Sequence, residues 1–145
     1  MDRIKLSLDI SNPSKFHNLG IELWLDNIKF FDNQVASGTH HVIYEFNEQQ
    51  DTNREFKIIL KNKTNEHTQI DQSGNILQDA LINIHNIELD GINIDQLMWT
   101  HCEYFHTGND SHDMQAHKFY GNLGCNGTVL LTFSTPIYLW LLENM

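Results

Sequence analysis

Apolar residues fall at alternate positions along much of the chain, the period of a β-strand with one buried face. Ile4, Leu6, Leu8 and Ile10 are separated by Lys5, Ser7 and Asp9, and Ile21, Leu23 and Leu25 repeat the pattern. Asp26-Asn27 can take the left-handed turn conformation, and Ile28-Lys29-Phe30-Phe31 resumes after it, so this region predicts a hairpin. Val42, Tyr44 and Phe46 share one face after Gly38, and Phe56, Ile58 and Leu60 share another after a polar loop, predicting two more strands. Asn62 to Gly74 is polar and turn-rich without apolar periodicity, and predicts a long exposed loop.

Ile82 and Ile84 alternate in one phase and Ile87 and Leu89 in the other, which predicts a bulge near His85-Asn86. Asp90-Gly91 then predicts a tight turn into Ile92 and Ile94. Met98 to Phe105 is expected as a strand with large aromatic residues, Phe119 to Leu123 as another, and Val129, Leu131 and Phe133 as the last. After Pro136, the run Ile137 to Leu142 is expected as either a strand or a short C-terminal helix. With no convincing amphipathic helix between the strands, the pattern predicts one all-β domain over residues 1–145, a jelly-roll-like antiparallel β-sandwich. Sandwiches have open edges, and the Lys and Asp residues of the first strand are expected to protect one.

Composition narrows the class of partner. The 145 residues carry 9 Lys and Arg against 19 Asp and Glu, a net charge of −10, so a nucleic-acid partner would need a local basic patch, and none is found. The 16 Asn and 15 Ile favour turns and strands over long helices. The N-terminus alternates and lacks the continuous apolar stretch of a signal peptide. The late apolar stretch from Thr128 to Leu142 is too short for a bilayer span and is broken by Ser134-Thr135-Pro136, so no membrane span is expected. Cys102 and Cys125 are expected as buried free thiols unless folding brings them close enough to pair.

Candidate chemistry concentrates in few places. His101, His106, His112 and His117 could supply transition-metal ligands, but their spacings of 5, 6 and 5 match neither a helical nor a strand ligand pair, and a His-rich polar loop is the plainer reading. Asp71, Asp79 and Asp90 are candidates for calcium, although Asp71 has neither the Gly nor the Glu that an EF-hand loop requires, and Asp71 and Asp90 both begin turn sequences. No nucleophile elbow, phosphate-cradling loop or His-Glu-x-x-His motif occurs, so the chain is expected not to be an enzyme. Trp24 falls out of phase with Leu23 and Leu25, so its ring should leave the buried face and be able to stack on a sugar ring or another chain. Trp99, Tyr104 and Tyr120 are further candidates for a binding rim.

The stretch Gly20-Ile21-Glu22-Leu23-Trp24-Leu25-Asp26-Asn27 resembles the strand-turn opening of small calcium-dependent carbohydrate-binding modules of the xylan-binding type. Residues Gly38 to Phe46, Asp79 to Ile84 and Leu89-Asp90-Gly91 look like later pieces of the same modules. The resemblance implies a glycan ligand and calcium as cofactor. The Asn- and Ile-rich sandwich also looks like small proteins of tailed-phage particles, which implies a viral structural protein located in the virion. A non-catalytic carbohydrate-recognition module is therefore expected first. A purely structural virion or oligomer subunit, contacting neighbours through the run around Tyr138 and Trp140, is the alternative, and a metal-dependent enzyme using His101 to His117 is the third.

Overall fold

The computed structural model describes residues 3–13, 19–35, 37–49, 51–63, 68–70, 72–74, 76–79, 81–107, 114–124 and 126–144. Among the described residues the elements follow in the order β1 (Arg3–Asn12), β2 (Gly20–Leu25), β3 (Ile28–Gln34), β4 (Gly38–Asn47), β5 (Asn53–Lys61), β6 (Thr68–Ile70), β7 (Ile76–Asp79), β8 (Ile82–Leu89), β9 (Ile92–Asn93), α1 (Asp95–His101), β10 (Glu103–Thr107), β11 (Met114–Lys118), β12 (Asn122–Leu123), β13 (Gly127–Ser134) and α2 (Ile137–Asn144). Sheet I has the order β12-β8-β1-β4, with β9 paired to β8, and sheet II the order β11-β10-β13-β5-β2-β3. All pairings are antiparallel, and the chain crosses repeatedly from one sheet to the other. The result is the expected β-sandwich.

Alternation produces the core. Ile4, Leu6, Leu8 and Ile10 of β1 meet Ile21, Leu23 and Leu25 of β2, Phe56, Ile58 and Leu60 of β5, and Val129, Leu131 and Phe133 of β13 in one buried cluster. Asp26 takes φ 53° in the β2–β3 turn, and Asp90 and Gly91 take φ 50° and 81° in the β8–β9 turn. Asp and Gly tolerate that left-handed region. The predicted bulge is present: Asn86 has φ 52°, and the β1–β8 register steps from Ser7↔Glu88 to Asp9↔His85.

Three expectations are corrected. Met98 to Phe105 is not one strand, because α1 runs to His101 and buries Leu97 and Met98. Ile94, Leu97 and Met98 have the i, i+3, i+4 spacing of a helical stripe, and Asp95 fixes the helix by accepting bonds from the N–H groups of Asn86 and Ile87 at 3.1 and 2.9 Å. The region Asn62 to Gly74 is not all loop, since β6 lies within it and pairs with β7. The charged residues of β1 protect no edge, because β1 lies between β4 and β8; among the described residues the outer strands are β4 on one side and β12 and β9 on the other in sheet I, and β3 and β11 in sheet II.

The C-terminal run is the helix α2, entered through the cis Thr135-Pro136 bond. The buried Glu48 carboxylate accepts from the Ile137 N–H at 2.9 Å, a favourable place for negative charge at a helix start. Trp140 packs inward against Phe133, with ring centroids 6.1 Å apart. No helix among the described residues is long and apolar enough to cross a membrane.

Candidate functional site

The outer face of sheet II collects the chemistry. Leu23 and Leu25 are buried and Trp24, between them, turns to the opposite face, where it is half-buried. Its indole Nε1 donates to Glu22 Oε1 at 2.9 Å, and Lys29 Nζ lies 5.7 Å from the ring centroid. Glu22 pairs with Lys61 at 3.0 Å, Lys61 with Asp32 at 2.5 Å, and Lys29 with Asp32 at 2.8 Å. These contacts shift the titrations. Glu22 is lowered, first by its bond to Lys61 and then by Trp24; Asp32 is lowered by Lys29 and then Lys61; Lys61 is raised by Asp32 and then Glu22.

Register carries this face across the sheet. Trp24 pairs with Lys57, Lys57 with Leu130, and Leu130 with Glu103, so the four side chains form one outward row. Three strand spacings separate its ends, about 14 Å. At the Glu103 end the row opens into a cleft of about 280 Å³ lined by His101, Glu103, Leu130, Thr132, Trp140 and Asn144. A second cleft, of about 430 Å³, is lined by Asn93, Gln96, Leu97, Thr100 and Asn144. Asn144 is common to both, and its Nδ2 donates to the Trp140 carbonyl at 2.8 Å.

Sequence reading missed Asn93, Gln96, Thr100 and Asn144. A signal existed: on a helix Gln96 and Thr100 are one turn apart, and Thr100 Oγ1 donates to the Gln96 carbonyl at 2.9 Å. Reading Met98 to Phe105 as a strand put Thr100 in an element that did not include Gln96.

The four aromatic candidates do not form one rim. Trp99 is 40% exposed on α1 and Tyr120 is 62% exposed. They occupy neighbouring ground, since a Cβ on Gly121 would stand 3.7 Å from the Trp99 indole nitrogen. Tyr104 is only 5% exposed and belongs to the core. It lies against His106, with centroids 4.4 Å apart, and His106 stacks on His117 at 4.3 Å.

The histidines are likewise divided. Contrary to the expected His-rich loop, His106 and His117 lie on the paired strands β10 and β11 and stack there, whereas His101 ends α1 with its ring 6.1 Å from Trp140. His112 lies outside the described residues, and among those described no group of three or more metal-ligating side chains converges. Of the calcium candidates, Asp71 lies outside the described residues, and Asp79 falls on β7, where only the backbone is described. Asp90 Oδ1 accepts from the Lys5 N–H and Oδ2 from the Tyr138 hydroxyl, both at 2.7 Å, which ties the β8–β9 turn to β1 and α2. Cys102 is a free buried thiol whose pKa burial pushes up to about 12; Cys125 lies outside the described residues.

No protein-family model, curated protein or solved structure matches this chain.

Proposed function

We propose that this protein is a non-catalytic recognition module that binds an extended polyhydroxylated ligand, a glycan chain, along the outer face of sheet II. The supporting observation is the cross-strand row from Trp24 through Lys57 and Leu130 to Glu103, which leads into the cleft beside His101 and Asn144. A Trp gives a flat apolar surface for one face of a sugar ring, while amide, hydroxyl, imidazole and carboxylate groups suit its hydroxyls. Lys29 is exposed enough to swing off the Trp24 ring as the ligand arrives. The reading gives Cys102 no role in chemistry, because burial pushes its thiol pKa up to about 12 and keeps it protonated at neutral pH. Asp90 is assigned to the turn, with both carboxylate oxygens committed.

Glycan-array screening followed by calorimetry tests the proposal. The expected result is binding to at least one glycan class, weakened roughly tenfold by Trp24→Ala. An array silent on all glycans overturns it.

One observation favours a second reading, a structural subunit of a larger assembly such as a virion. Tyr138, Leu139 and Leu142 are exposed on α2, an apolar surface that suits a neighbouring chain. Binding of no glycan, together with loss of assembly on Leu142→Glu, would favour this reading.

A further inference from the structure

The edge of sheet I at β4 has the makings of a self-pairing interface. Strand β4 is ten residues long and pairs with β1 without a register break, from Arg3↔Asn47 to Asn12↔Gly38. Among the described residues it ends its sheet. Its sequence Gly-Thr-His-His-Val-Ile-Tyr-Glu-Phe-Asn contains no Lys, no Pro and no bulge, the usual protections of such an edge.

Hydrogen-bond parity identifies the open groups. The Lys5 N–H donates to Asp90 Oδ1 and its carbonyl accepts from the Asp90 N–H at 2.8 Å, so both main-chain groups of Lys5 point away from β4. Lys5 faces Glu45, which makes that pair one without mutual ladder bonds. By alternation, Glu45, Ile43, His41 and Thr39 direct their N–H and C=O groups to the open side. These residues also present their side chains on the exposed face, and Ile43 is 55% exposed.

We propose that two copies of this chain pair antiparallel through β4, with a two-fold axis at Ile43. This register sets Ile43 against Ile43 of the second copy and His41 against Glu45, so about six main-chain hydrogen bonds close the seam. Carboxylates alternate with hydrogen-bonding partners across it. On one side Arg3 lies 3.4 Å from Glu45, and on the other Asp9 lies 2.6 Å from His41, so the seam reads Arg3, Glu45, His41, Asp9. Moving the axis to Glu45 would oppose two carboxylates, and moving it to His41 would oppose two imidazoles; the Ile43 axis avoids both. On the inner face, the half-buried Val42 of one copy meets Tyr44 of the other and extends the apolar layer of each sandwich. The inference is independent of the glycan reading, which concerns the other sheet.

Sedimentation equilibrium tests it on the whole chain. The expected wild-type species has twice the 16.9 kDa chain mass. Ile43→Pro removes the two central donors while sparing the bonds to β1, and should raise the dissociation constant roughly tenfold or more. Glu45→His should also weaken the dimer, because an imidazole then faces His41 of the other copy in place of the carboxylate. A wild-type chain that stays monomeric at its highest soluble concentration overturns the proposal and leaves the edge to a strand of another protein. A dimer that survives both single substitutions, with circular dichroism showing native folding, overturns it as well.

Discussion

Among the described residues, strands β3 and β4 terminate different sheets on the same side of the sandwich, joined by the Phe30–Tyr44 stack with centroids 4.2 Å apart and planes 8° from parallel. Their exposed edges are built in opposite ways. Along β3 the register shifts between Leu23↔Phe31 and Trp24↔Lys29, and the extra residue, Phe30, turns inward to make that stack. Lys29 and Asp32 lie on the strand itself, and their ion pair continues through Lys61 to Glu22. Bulges and charged side chains both discourage a second strand from docking. Along β4 the register is continuous, and Glu45 is the one Asp, Glu, Lys or Arg residue in ten. The comparison teaches that an edge is protected by local twist and fixed charge, and that the chain's −10 balance protects only the edge where the charges stand.

The comparison can be tested from beneath the edges outward. Leu8 supports β4 from β1, and Leu23 supports β3 from β2; both are essentially inaccessible. Leu8→Ala and Leu23→Ala should each cost about 3 kcal/mol in urea unfolding. Equal costs would show that the edges differ in their surfaces and not in the core below, whereas a marked inequality would break that view.

A smaller effect is expected at the β3 hairpin. Asp26 accepts from Arg54 Nε at 2.5 Å and from the Glu55 N–H at 3.0 Å while holding φ 53°. Asp26→Ala loses both bonds and puts a less tolerant residue in the left-handed region, an expected loss of about 2 kcal/mol. Asp26→Gly relieves the backbone part alone, so it should lie between Asp26→Ala and wild type.

The smallest effect is a pH dependence. Asp32 on β3 with Glu22 beside it, and Asp9 beside β4, are held below their ordinary values of 3.8, 4.5 and 3.8; Asp9 is lowered first by its bond to Asn86 and then by His41. Groups lowered in the folded state stabilise it fully above those ordinary values, and the contribution is lost as pH falls through the lower folded ones. The acid limb of Tm against pH should flatten when Glu22→Gln and Asp32→Asn are combined, and flatten less with Asp9→Asn alone. Equal flattening would mean that β4 also has a charge network of comparable strength.

Much of the fold was legible because strand alternation is a local property. Ile4 to Ile10, Ile21 to Leu25 and Val129 to Phe133 alternate wherever their partners lie, and Asp26 and Asp90-Gly91 mark turns through their own backbone tolerance. Even the β8 bulge showed in the changed phase from Ile84 to Ile87. Helix α1 was hidden because its seven residues hold too few turns to outweigh the strand-forming Trp99 and Tyr104 around its end. The candidate site was only partly legible. Trp24's outward direction followed from its phase, but its alignment with Lys57, Leu130 and Glu103 depends on three registers between residues far apart in sequence.

By itself, then, the sequence determined the strands, their buried faces and most of their turns, because these depend on neighbours within a few residues. Only the tertiary structure decided that β1, with its Lys and Asp, is central and that β4, nearly bare of charge, is an edge. The same alternation serves either position. Burial of one face specifies which side chains turn inward, but main-chain hydrogen bonding to distant strands specifies which strand has a free side, and that partnership is absent from any local pattern.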